Sequence, residues 1–110
     1  MAKFECTLRG DYNQALSYFH NGILNGSMSA SFEEESYFQS AGVRCTVRVY
    51  ERYSMMGSNR VSLSLTLMGE GEELFLSAIT AGGSQAVLWK MNTFGEEAFL
   101  DRLRDVVKLL

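Results

Sequence analysis

Proline is absent from this chain of 110 residues, so no rigid linker interrupts it, and no Gly/Ser tract is long enough to separate one domain from another. Histidine occurs once and cysteine twice, without the clustered spacing of a structural zinc site, so neither a metal nor a cofactor is expected. A basic excess is also missing. Ten lysines and arginines against thirteen acids leave a net charge of −3, the wrong sign for a surface that follows phosphates, and nucleic acid is not an expected partner.

No window approaches the roughly 18 apolar residues of a membrane helix, so no membrane partner is expected. The opening MAKFECTLRGDYNQ places charges every few positions, where a secretory signal would be uninterruptedly apolar. The expected location is therefore cytoplasmic, with Cys6 and Cys45 as free thiols among apolar neighbours. With 46% hydrophobic residues the chain has the material for one core, and a single domain over residues 1–110 is expected.

What is present reads as an α+β fold. Phe4, Cys6 and Leu8 alternate with Lys3, Glu5 and Thr7, the period of a half-buried strand. Asp11 with Gln14 has the form of a capping box, and Leu16, Phe19 and Ile23 recur at helical spacing until Asn25 and Gly26. Four strands follow, near 28–38, 43–53, 60–68 and 74–81, joined by SAG, SMMGSN and GEGE turns that make neighbours antiparallel. A further short strand at 86–90 is conceivable. Thr93 and Glu96 open a second helix whose stripe is Phe99, Leu103, Val106 and Leu110, with Leu100 and Val107 beside it.

This order of elements resembles the TATA-binding-protein-like and helix-grip architectures, in which a C-terminal helix lies across a curved antiparallel sheet. The stretches VRCTVRVYERYSMMGSNRVSLSLTLMG, LFLSAITAGGSQAV and NTFGEEAFLDRLRD resemble a family of short uncharacterised bacterial proteins, found mainly in Firmicutes. The resemblance covers nearly the whole chain and implies a domain of unknown function; it brings over no catalytic or binding residues.

Candidate sites follow from an expected register. Gathering the apolar rows puts Val43, Cys45, Val47 and Val49 on the same side as Val61, Leu63, Leu65 and Leu67, at the centre of the sheet. A tight hairpin at Ser40 and Ala41 then sets Phe38 opposite Val43, Tyr37 opposite Arg44 and Glu33 opposite Arg48. Arg44, Arg48 and Arg52 project from the outer side as a candidate anion-binding stripe. At about 13 Å between successive arginines they do not converge on one phosphate, and cross-strand pairing with Glu33 and Glu35 is the plainer reading.

The same register puts Glu34 and Glu51 on the apolar side, roughly 14 Å apart. There, with Tyr53, they are a candidate ligand-binding set at the mouth of a pocket beneath the C-terminal helix. A bulge near Glu34 or a strand end near Glu51 would instead return each acid to water. Phe75 and Ile79, with Tyr50 and Met68 nearby, form a candidate apolar interface on the outer face. His20 with Cys45 is a thin basis for a catalytic pair, and TAGGSQ fits no phosphate-loop pattern. The expected function is a non-enzymatic binding or interaction module, with a second copy of the chain as partner. The alternatives are a carrier of an unidentified small apolar molecule and an enzyme of unidentified class.

Overall fold

Alternating residues at the start of the chain form β1 (Ala2–Arg9), and α1 (Tyr12–Asn25) follows at once. Asp11 caps that helix, its carboxylate accepting the Gln14 amide at 2.9 Å. The remaining elements are β2 (Ser31–Ser40), β3 (Val43–Ser54), β4 (Asn59–Glu70) and β5 (Glu73–Gly82). The computed structural model describes residues 1–25, 30–54 and 59–82. The short strand, the second helix and the pocket expected beneath it lie outside them.

The strands make one antiparallel sheet in the order β1-β5-β4-β3-β2, with β4 at its centre. Two-residue turns fix the outer hairpins. Ala41 and Gly42 both have positive φ, 52° and 83°, as the hairpin turn that follows strand twist requires. Gly71 supplies the positive φ, 60°, between β4 and β5.

Helix α1 covers one face. Its stripe of Tyr12, Ala15, Phe19 and Ile23 is buried on Val61, Leu63, Leu65 and Leu67 of β4 and on Leu74, Leu76 and Ala78 of β5. Phe4, Cys6 and Leu8 of β1 close the flank. Each fully buried aliphatic or aromatic side chain here contributes about 1.5–3 kcal/mol of transfer free energy. That burial holds the helix, since 14 residues are marginal as an isolated helix in water.

The register of β3 on β4 overturns one expectation. Val47 pairs with Thr66 and Arg48 with Leu65, so Val47 and Leu65 lie on opposite sides of the sheet. The leucines of β4 share their face with Arg44, Thr46, Arg48, Tyr50 and Arg52. The row Val43, Cys45, Val47 and Val49 faces away from α1. Parity decides this: backbone pairing runs to Ser54 and Asn59, and the four residues between them match odd positions of β3 with even ones of β4.

The β2–β3 register also differs, by two residues. Phe38 stands opposite Cys45, Tyr37 opposite Thr46 and Glu35 opposite Arg48, because the turn is centred on Ala41 and Gly42 rather than on Ser40 and Ala41. A bulge at Glu33 then shifts the pairing between Phe32 and Glu34.

Candidate functional site

The two faces of the sheet carry different chemistry. On the helix-covered face, the Tyr12 ring lies over Gly69, where a Cβ would come within 2.7 Å of the ring and 2.8 Å of Leu74. The Tyr12 hydroxyl donates to the Leu67 carbonyl at 2.9 Å. Its single proton being so used, the buried Thr46 hydroxyl donates to it across 2.5 Å. The Arg44 guanidinium sits 4.3 Å from the centre of the same ring and donates to Asn13 at 3.4 Å. Burial pushes the Tyr12 phenol above its ordinary pKa.

Just past the middle of α1, His20 Nδ1 meets the hydroxyl of buried Tyr50 at 2.8 Å. Phe32 completes an aromatic triangle, 5.4 Å from His20 and 5.5 Å from Tyr50 between ring centres. Arg48 donates to Glu35 at 2.7 Å, and its guanidinium is 5.5 Å from the Phe32 ring centre. Burial, followed by the charge of Arg48, lowers the His20 pKa, and Glu35 partly opposes them. Burial raises the Tyr50 phenol, and the Arg48 hydrogen bond acts against that rise.

The arginines expected on an outer stripe are therefore on the helix side. Arg44 is engaged by α1 and Arg48 by β2, and burial lowers the pKa of Arg52. Tyr50, expected at the outer interface, is instead part of the core beneath α1. His20 and Cys45 stand on opposite faces and make no dyad.

Glu34, Glu51 and Tyr53 share the helix-free face. Because of the bulge, Glu34 lies opposite Val49, one same-side position from Glu51, so their backbones are about 8 Å apart rather than 14. Glu34 is exposed and accepts the Glu35 amide at 2.9 Å. Glu51 accepts from Arg60 at 2.8 Å and from Ser62 at 3.2 Å, and Arg60 also covers the Tyr53 ring at 5.3 Å. A cleft of about 480 Å³ at the start of α1, lined by Leu8, Arg9, Asp11, Gln14, Tyr18 and Leu74, includes none of the three.

Met68 and Phe75 do come together on the helix-free face, whereas Ile79 shares that face two same-side positions, about 13 Å, further along β5. The pairings Phe38 to Cys45, Cys45 to Met68 and Met68 to Phe75 set one apolar row across four strands, which ends on Thr7 of β1. Its large members are open to solvent, Phe38 at 69%, Met68 at 44% and Phe75 at 38%. A hollow of about 320 Å³ opens at that end of the face, lined by Thr7, Val43, Met68, Phe75, Glu70 and Glu73.

Over its whole length, residues 1–110, the sequence matches the family of unknown function DUF6054. The chain belongs to that family. No curated protein matches it. Among solved structures, that of TTHA0849 from Thermus thermophilus aligns over 98% of this chain and 97% of its own, at 11% identity and a TM-score of 0.31. A likeness that weak carries no argument about fold or function. Among the described residues no helix is long and apolar enough to cross a membrane, and no group of His, Cys, Asp and Glu could hold a metal ion.

Proposed function

We propose that this member of DUF6054 is a non-enzymatic interaction module whose working surface is the helix-free face of the sheet, where a second copy docks. The observation that supports it is the exposed row Phe38, Met68 and Phe75, with the valines of β3 on the same face. An antiparallel sheet with only one covered face ordinarily alternates apolar inward and polar outward. Here β3 presents Val43, Cys45, Val47 and Val49 outward. A contiguous apolar patch of that kind marks an association surface.

In the same reading, residues 93–110 form the second helix of a β-α-β-β-β-β-α, TATA-binding-protein-like order. Cys6 and Cys45, which face opposite sides of the sheet, suit a cytoplasmic protein with free thiols.

Light scattering tests the proposal. The wild type should return about twice the 12.3 kDa of the chain at tens of micromolar, and Phe75→Glu should return the monomer with its circular dichroism unchanged. A wild type that stays monomeric at millimolar concentration sinks the reading.

A further inference from the structure

We infer that His20 is an acid-released latch: the neutral ring accepts the Tyr50 hydroxyl proton and holds the start of β2 beside α1, and a ring that gains a proton lets that strand end go. The direction of the bond follows from counting protons. Tyr50 is buried, and its hydroxyl has one proton to give and two lone pairs to offer. Arg48, which has donors only, takes up one of those lone pairs. The hydroxyl proton then needs an acceptor, and His20 Nδ1 stands 2.8 Å away. With the opposite polarity, Nδ1 and Arg48 would both donate to Tyr50 and strand its own proton in a buried position, which is costly. The neutral ring therefore carries its proton on Nε2.

Protonation removes the acceptor. Nδ1 becomes a donor facing a hydroxyl that already receives Arg48, and the imidazolium stands near a guanidinium of the same sign. Glu35, the carboxylate at this seam, favours the imidazolium but is engaged by Arg48 at 2.7 Å. Burial and Arg48 outweigh it, so the folded chain favours the neutral ring.

What yields is set by how each neighbour is held. Helix α1 stays seated through Phe19 and Ile23, which are buried in the core with the leucines of β4 and β5. The edge strand is held less firmly. Apart from half-buried Ser31, all of β2 is exposed, and the bulge at Glu33 divides Ser31 and Phe32 from the ladder that runs from Glu34 to Ser40. Those two residues are held by their pairs with Glu51 and Tyr50 and by the seat of the Phe32 ring, 5.4 Å from His20 and 5.5 Å from Tyr50. A His20 ring that turns to solvent opens one side of that seat. Local opening at a strand end of this kind needs far less free energy than unfolding the core.

NMR of the full chain tests the bond and the latch separately. At pH 7.5 nitrogen-15 shifts should place the His20 proton on Nε2; a proton on Nδ1 overturns the proposal without any variant. Tyr50→Phe should raise the His20 pKa by roughly half a unit to one unit, because the hydroxyl stabilises the neutral ring. A fall in that value would mean that Tyr50 is the acceptor, and it overturns the proposal too. Nuclear Overhauser contacts between the Phe32 and Tyr50 rings should be present at pH 7.5 and lost one unit below the His20 pKa, while Phe19 and Ile23 keep theirs to the core. His20→Gln retains an acceptor at every pH and should keep the Phe32–Tyr50 contacts over the same range. Contacts that persist once His20 is protonated, that vanish equally in His20→Gln, or that vanish together with those of Phe19 overturn the latch.

Discussion

Replacing Gly69 by alanine adds one methyl group at the most crowded contact beneath α1, and its effect can be worked out from the surroundings. The new Cβ would stand 2.7 Å from Tyr12 and 2.8 Å from Leu74, both below van der Waals contact. Leu74 can turn, but Tyr12 is held by its bonds to Thr46 and the Leu67 carbonyl. Overpacking a core costs about 1–3 kcal/mol. If Tyr12 moves enough to release both partners, a buried hydroxyl and a buried carbonyl lose their bonds, at about 1–3 kcal/mol each. Partial yielding sets the expectation at about 2–4 kcal/mol. A small domain shifts by roughly 4 °C per kcal/mol, so Tm should fall by about 8–16 °C. The reasoning turns on Tyr12. In a Tyr12→Leu background the added methyl should cost less than half as much, a coupling measurable by urea unfolding of the four chains. Equal costs in the two backgrounds would refute the proposed contact.

Acid should weaken the protein through its one histidine. The folded state holds the His20 pKa below the ordinary 6.5, because of burial and then Arg48. The unfolded chain therefore binds the proton more readily, and stability present above about pH 6.5 is lost as pH falls through that value toward the folded pKa. Urea midpoints between pH 7.5 and 5 should show this slope in the wild type and lose it in His20→Gln, and Arg48→Met should raise the His20 pKa read by NMR. Ala41, at φ 52°, adopts a left-handed conformation that suits glycine. Ala41→Gly should leave the fold unchanged and raise stability by roughly 0.5–1 kcal/mol, measured as a higher urea midpoint; a lower midpoint would show that the hairpin does not strain the alanine.

The elements were legible because each rests on a local signal. Alternation at Phe4, Cys6 and Leu8, the cap at Asp11, and helical spacing at Phe19 and Ile23 all correspond to observed structure. The relation between β3 and β4 was not local. Apolar matching favours valines beside leucines, and a connection one residue shorter or longer would have produced that pairing; the length of a turn in SMMGSN cannot be read from its composition. Tertiary partners then make the observed parity tolerable: Tyr12 satisfies Thr46, His20 meets Tyr50, and Arg44 and Arg48 lay their stems along aromatic rings. Gly69 did carry a signal, since a glycine inside a strand often marks a close approach of another group, but as the first residue of GEGE it reads as part of the turn.

The inverted strand also bears on function. If the sheet served only α1, the row of β3 with most to gain from burial would face the helix, and the row with arginines, threonine and tyrosine would face water. The chain does the opposite. It shields the polar row, whose Thr46 and Tyr50 are buried and hydrogen-bonded and whose Arg44 and Arg48 are held by neighbouring side chains, and it leaves the valines behind an exposed band of Phe38, Met68 and Phe75. Leaving such a band in water forgoes roughly 25 cal/mol for each square ångström of apolar area that could be covered. Nothing in the packing of α1 needs valine at positions 43, 47 and 49. A second surface closing over that face does, so the residues least explained by the fold are those that the interaction reading requires.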